Sequence, residues 1–100
     1  MKLPSDPFVL ELLPEFIEDW LEKLSDEFDP AMKGKDSETL YRIAHTIKGS
    51  SFQFGFDELG NLGITMMEQV NNSDWDGLEQ NKEFFRIKLI EIQEYLKNNN

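Results

Sequence analysis

The 100-residue chain carries a net charge of −10, no cysteine, and 39% hydrophobic residues, among them eight phenylalanines. These values predict one small domain with its own core and exclude disulfides and thiolate zinc sites, while the acidic charge disfavours nucleic-acid and anionic-membrane partners. No apolar run approaches the roughly 20 residues of a membrane span, and the N-terminal MKLPSDPF lacks the apolar region of a signal peptide, so we expect a cytoplasmic protein.

The first third of the chain is predicted to form a short helical piece followed by a long amphipathic helix. Pro14 suits the first turn of a helix better than its interior, so residues 7–13 are expected to form a separate helix or turn before it. Asp29 and Pro30 then end the long helix, and residues 31–35 (AMKGK) are expected to form a loop. The apolar stripe of the long helix, repeating at three and four, comprises Leu13, Phe16, Ile17, Trp20, Leu21, Leu24 and Phe28.

Three further amphipathic helices follow in chain order. Asp36 or Ser37 can cap the next one, which Gly55 ends. A third begins near Asp57, and Asp74 can cap a fourth. Their expected buried positions are Leu40, Ile43, Ala44, Ile47, Ser51 and Phe54, then Leu59, Leu62, Met66 and Val70, then Leu78, Phe85, Leu89, Ile92 and Leu96.

Four such helices with short connections predict an all-α antiparallel four-helix bundle with an additional short N-terminal helix. We expect it to form a single domain over residues 1–100, frayed at residues 1–5 and 98–100. One buried stripe on each helix favours a monomer. The Met66-Met67 pair is most simply core filler, with a hydrophobic ligand pocket as the alternative.

His45, the single histidine, lies about 150° from the centre of the apolar stripe of its helix, so its imidazole should point at solvent. Gly49 occupies i+4, where a side chain would normally lean back over residue 45. A helical glycine costs roughly 1 kcal/mol relative to alanine, and closer approach of another surface to the imidazole could offset that cost. Phe52 shares this side, either as a partly exposed docking residue or buried under the N-terminal segment.

The region around His45 is basic although the chain is acidic. Residues 30–56 carry a net charge of +2 and the remainder −12. An accessible imidazole is largely neutral and nucleophilic near pH 7, and could attack a phosphoryl group whose oxygens Arg42 and Lys48 would hold. With one histidine and no cysteine, a metal site is not expected. The sequence offers no nucleotide-binding loop and no oxyanion hole, so a complete kinase is excluded and a self-contained hydrolase is remote.

The stretch HTIKGSS from His45 to Ser51, with Gly55, resembles the H-x-L-K-G-[SA]-[SA]-x-x-x-G pattern of histidine-containing phosphotransfer (HPt) domains. The resemblance extends over nearly the whole chain. It implies that His45 exchanges a phosphoryl group with a receiver-domain aspartate, that Lys48 sits near that group, and that Gly49 clears the approach. It also implies no cofactor of its own, since the receiver would supply Mg²⁺. The expected partners are a response-regulator receiver domain and a hybrid sensor histidine kinase, contacted through Tyr41, Arg42, Ser51 and Phe52.

Met67 stands where many members of that family have a glutamine or another polar residue, so we expect no polar support for His45 from the following helix. The alternative function is a non-phosphorylated adaptor or inhibitor that binds a receiver or kinase domain on the same bundle. Whether the chain is a free-standing module or a segment of a larger sensor kinase stays open at the level of sequence.

Overall fold

The computed structural model describes residues 3–98, and within that range it contains helices and no strand. The frayed ends expected from the sequence fall partly on residues 1–2 and 99–100, which lie outside the described range. No helix formed by residues 3–98 combines the length and the apolar character that crossing a membrane requires. The elements are α1 (Pro7–Lys23), a π-helical turn (Leu24–Phe28), α2 (Asp29–Lys33), α3 (Ser37–Gln53), α4 (Asp57–Asn71) and α5 (Trp75–Asn98).

The first helix runs without a break through Pro14, so the predicted separate helix over residues 7–13 was wrong. Asp6 caps it, accepting a 2.9 Å hydrogen bond from the Phe8 backbone N–H. Pro14 is exposed, whereas Leu13 and Ile17 on either side of it are fully buried. Burial of these two side chains, at about 1.5–3 kcal/mol each, offsets the cost of about 3 kcal/mol for an interior proline.

The predicted helix end at Asp29 and Pro30 was also wrong. The Asp29 N–H donates to the Leu24 carbonyl in the wider π-helical turn, and α2 continues to Lys33 with Pro30 in its first turn. A proline is tolerated in a first turn, and a widened turn moves aside the carbonyl that its ring would otherwise strike. Only Gly34 and Lys35 form the turn before α3.

The other predicted boundaries are confirmed. Asp36 accepts hydrogen bonds from the hydroxyl of Thr39 at 2.6 Å and from its backbone N–H at 3.2 Å, and these bonds hold the pKa of the Asp36 carboxyl below its usual value. Gly55 follows α3 with φ of +83°, a conformation that favours glycine. Asp74 caps α5 by accepting from the Gly77 N–H at 3.0 Å.

The core lies among α1, α3, α4 and α5 and is built from the predicted stripes. The ring of Trp20 meets the edge of Phe85 with centroids 5.4 Å apart, which joins α1 to α5. Five stripe residues, Phe16, Leu21, Phe54, Leu62 and Leu96, are only partly buried. The buried members are Leu13, Ile17, Trp20, Leu24, Phe28, Leu40, Ile43, Ala44, Ile47, Ser51, Leu59, Met66, Val70, Leu78, Phe85, Leu89 and Ile92, and Phe56 joins them.

A buried lysine ties α2 to α5. The ammonium group of Lys82 lies 3.1 Å from Asp29, 2.9 Å from Glu79 and 3.3 Å from Glu83. Burial by itself would lower the pKa of Lys82, but the hydrogen bonds that its ammonium donates to the three carboxylates outweigh it and raise the pKa above its ordinary value. The ammonium is therefore held in its charged form, which a nearly buried cation requires.

Candidate functional site

His45 lies on the solvent side of α3, opposite the buried side chains of Ile43, Ala44 and Ile47. Within residues 3–98, no hydrogen bond or ion pair engages the imidazole. The helix therefore presents the ring outward with both nitrogens open to an incoming group, as its place on the helical wheel predicts.

Gly49, one turn after His45, has no internal reason to be glycine. A β-carbon built at this position would meet no atom within 4 Å. Because a side chain would fit at this position, the glycine lowers helix stability by roughly 1 kcal/mol relative to alanine and gains no packing in return. The glycine therefore leaves an open surface one turn from the exposed imidazole.

Two glycines of α4 contrast with Gly49, because packing within the bundle requires both. A β-carbon on Gly63 would fall 2.5 Å from the backbone nitrogen of Lys48 and 3.0 Å from the Ala44 carbonyl oxygen. The backbones of α3 and α4 therefore touch next to His45. A β-carbon on Gly60 would lie 2.6 Å from atoms of the Phe52 ring. The sequence reasoning missed this contact, although two glycines three residues apart in an amphipathic helix were the signal.

Three large apolar side chains are exposed around His45. Tyr41 lies one turn before it on α3, and Phe52 lies two turns after it, 39% exposed with its ring resting on Gly60. Of the two alternatives expected for Phe52, the ring is therefore partly exposed and not buried under the N-terminal segment. Ile64, one turn beyond Gly60 on α4, is 38% exposed and was not identified from the sequence. Its signal was an isoleucine outside the apolar stripe of α4. We call Tyr41, Phe52 and Ile64 the apolar rim.

The basic side chains of this region are open to a partner. Lys48 is half-buried, with its backbone against Gly63, and within the described residues it forms no ion pair. Arg42 lies 3.9 Å from Glu27, but its side chain is largely exposed, so this pair contributes little and leaves the guanidinium available. Lys33, at the end of α2, and Lys35, in the turn before α3, are also exposed.

Ser51 requires a correction, since it was expected to contact a partner. Its side chain is fully buried, so it has no surface to offer, and its hydroxyl oxygen has no hydrogen-bond partner. Ser50 donates its hydroxyl to the Thr46 carbonyl at 2.7 Å, so it is engaged within the helix. Ser51 is therefore part of the interior and Ser50 is engaged within α3.

Among the described residues, no side chain of α4 hydrogen-bonds to the imidazole. Met67 is partly buried against the core. The nearby amide of Gln69 is committed to α5, where its oxygen accepts a 3.0 Å hydrogen bond from the Asn81 amide. The position of the His45 backbone is therefore set by α3 and by its close contact with α4 at Gly63.

A family model described as "Hpt domain" matches residues 9–98. The matched range includes all of α2 to α5 and α1 apart from its first two residues. No curated protein and no solved structure matches the chain significantly.

Proposed function

The chain belongs to the Hpt domain family, and on that premise we propose that it carries a phosphoryl group on His45 and exchanges it with the aspartate of a receiver domain. Members of this family act in histidine phosphotransfer in two-component signalling, as phosphocarriers without an ATP site of their own. The observation that carries the proposal is the outward, unengaged imidazole beside a glycine that the fold does not need.

The transfer needs no base from this chain. A neutral imidazole nitrogen attacks the phosphorus of the aspartyl phosphate, an N–P bond forms, and the P–O bond to the aspartate breaks. The carboxylate stays on the receiver, while the second ring nitrogen of His45 keeps its proton. The reverse sequence returns the phosphoryl group. Mg²⁺ on the receiver would stabilise the charge on the phosphoryl oxygens from its side.

Lys48 and Arg42, three residues on either side of His45, would approach the phosphoryl group from this chain. Their cationic groups can pair with phosphoryl oxygens as negative charge develops. Gly49 would leave room for the receiver surface to come within reach of the ring. These roles follow from helical spacing and from the open surface around the imidazole.

The apolar rim and the basic side chains together suit a receiver domain as the docking partner. Exposed apolar side chains around a reactive group are typical of an interaction surface. A receiver's phosphorylation site is acidic, so the net charge of +2 around His45 would speed encounter and fix orientation.

We also propose that the helices form an antiparallel four-helix bundle and that the protein is cytoplasmic. The receiver could belong to a response regulator or to a hybrid sensor kinase.

The test is label transfer from a phosphorylated receiver. We expect wild-type protein to acquire label that survives alkali and is lost in acid, and His45→Gln to acquire none while unfolding at the wild-type temperature. Equal labelling of His45→Gln would refute the site assignment. A wild-type protein that binds receivers and accepts label from none would refute the carrier function and leave the adaptor alternative.

Lys48 has a matched control in Lys35, which is also basic but lies at the turn before α3. Lys48→Ala should slow transfer by at least about tenfold, since it removes a charge-assisted hydrogen bond. Lys35→Ala removes the same charge and should change the rate by no more than about twofold, through long-range steering alone. Equal effects of both substitutions would mean that Lys48 acts only through net charge.

A further inference from the structure

Gly60 and Phe52 fit together at the surface where α4 meets α3. A β-carbon on Gly60 would lie 2.6 Å from each of three atoms along one edge of the Phe52 ring, Cδ1, Cε1 and Cζ. Non-bonded carbon atoms pack at about 3.5–4.0 Å, so the ring can lie there only because residue 60 has no side chain. Gly60 itself is buried, whereas Phe52 stays 39% exposed.

The Phe52 ring is therefore placed by α4 although the core does not enclose it. An exposed phenylalanine on a helix can turn its ring among several staggered positions. Here one edge of the ring fills the space that a side chain at residue 60 would occupy. A side chain that is already held in position loses less conformational entropy when a partner covers it. The contact with Gly60 thus presents an apolar surface that is ready for docking.

Phe52 stands in line with His45 and Gly49 on α3. Gly49 follows His45 by four residues and Phe52 follows it by seven, so at about 100° per residue the three lie within an arc of about 60°. Gly49 is exposed, and a β-carbon on it would meet no atom within 4 Å. The surface is therefore low at Gly49, between His45 at one end of the row and Phe52 at the other.

Given the phosphotransfer function proposed for His45, on which this inference rests, we propose that Phe52 selects among receiver domains and that Gly60 is a positioning residue for its ring. A cognate receiver presents an apolar side chain beside its phosphorylated aspartate, and this side chain packs against the ring. A polar or charged side chain at that place would lose its water without gaining a partner, so receivers that carry one are disfavoured.

A receiver that reaches His45 also covers Phe52. At 1.5 Å per residue, the two residues are about 10 Å apart along the helix axis. A standard interface of roughly 800 Å² per partner, centred on His45, extends about 16 Å in every direction. The ring therefore lies inside the contact, where aromatic side chains contribute most to binding.

Transfer kinetics separate docking from chemistry. Receivers charged with radiolabelled acetyl phosphate are the probe, and the rate of label transfer to the full chain is measured against receiver concentration. Phe52→Ala should raise the half-saturating receiver concentration by at least about tenfold, as loss of an aromatic anchor does. It should change the saturating rate by no more than about twofold, because it removes binding that the ground state and the transition state share.

Phe84 supplies the matched control. It is a phenylalanine of nearly equal exposure, 41%, but it lies on α5 and outside the row that contains His45. Phe84→Ala should leave both the half-saturating concentration and the saturating rate unchanged. An equal effect of Phe52→Ala and Phe84→Ala, or a Phe52→Ala protein in which only the saturating rate falls, would overturn the selecting role of Phe52.

A double-substitution cycle tests Gly60. Gly60→Ala places a methyl group where the ring lies, and the ring is at the surface and can swing outward, so the variant should fold and raise the half-saturating concentration by about three- to tenfold. In a Phe52→Ala background the methyl group meets no ring, and the change should be less than about twofold. Equal losses in both backgrounds, or a Gly60→Ala protein that thermal unfolding shows to be unfolded, would overturn the positioning role.

Substitutions in the receiver test the chemistry of the partner. Apolar surface residues around its aspartate are replaced by serine one at a time. At least one replacement should weaken docking to wild type by about tenfold and to Phe52→Ala by less than about twofold. A wild-type chain that takes label from no receiver would refute the proposed function together with this inference. Normal transfer by wild type with an unchanged half-saturating concentration in Phe52→Ala, or receiver substitutions that weaken both proteins equally, would refute this inference alone.

Discussion

Replacing Gly49 by alanine should make the protein more stable and a poorer phosphocarrier. The β-carbon would meet nothing within 4 Å, so the full helix-propensity gain of about 1 kcal/mol should be realised without any packing cost. For a domain of this length, that gain corresponds to a rise in Tm of about 4–8 °C. The same methyl group stands on the surface one turn from the imidazole and would hold a docked receiver away from it.

Two assays on one variant test this reasoning. Thermal and urea unfolding measure the stability of Gly49→Ala, and label transfer from a phosphorylated receiver measures its function. We expect transfer to slow by roughly 10- to 100-fold, since small displacements of reacting groups have effects of that size. Gly63→Ala is the matched control, because its β-carbon would fall 2.5 Å from the Lys48 backbone nitrogen and should destabilise the fold by about 1–3 kcal/mol.

Two outcomes would contradict the reasoning on Gly49. A Gly49→Ala protein less stable than wild type would show that the fold needs this glycine, and the argument for access would fail. Wild-type transfer rates in a stabilised variant would show that the receiver does not approach along this surface.

Three further substitutions test the packing and the charge network. Ser51→Ala should raise the unfolding free energy measured in urea by about 1 kcal/mol, because it removes a buried hydroxyl without a partner; a loss of stability would contradict this. Lys82→Met keeps the buried stem and should lower that free energy by about 1 kcal/mol, since half-exposed carboxylates lose their shared cation; unchanged stability would mean that the ion pairs contribute nothing. The hydrogen bond from Arg86 holds the pKa of Glu83 below its ordinary value of 4.5, so the stability it contributes is complete above that pH and is lost as pH falls through the lower folded value. Glu83→Gln should therefore be less stable than wild type at pH 7 and lose less stability between pH 5 and pH 3, as acid titration followed by circular dichroism would show; parallel titration curves would contradict this.

Helix boundaries set by side-chain caps and glycine were predictable, whereas those set by proline were not. Asp36 and Asp74 reveal their role locally, because the carboxylate and the backbone N–H groups it caps are only a few residues apart. Pro14 and Pro30 depend on the burial of apolar side chains around them, which no local pattern reports. The cost of a proline inside a helix can be estimated from the sequence, but the tertiary packing that offsets this cost cannot.

The same distinction between local and tertiary effects applies to the candidate site. The exposure of His45 and of Gly49 could be inferred from one helix, because helical spacing alone decides which residues share a face. Ile64 and Gly63 could not, since they reach the site only through the packing of α4 on α3. Ser51 was misplaced for a related reason, as a small residue suits both a contact surface and a tight helix crossing.

The contact between the backbones of α3 and α4 at Gly63 has a consequence for kinetics. With no side chain between them, the two helices lie in direct backbone contact, so the segment of α3 that carries His45 is held against α4 before any partner arrives. A receiver would meet a preorganised target and would not have to wait for a conformational change. Its association rate should then follow ionic strength, as diffusion steered by charge does, and should show no plateau at high receiver concentration.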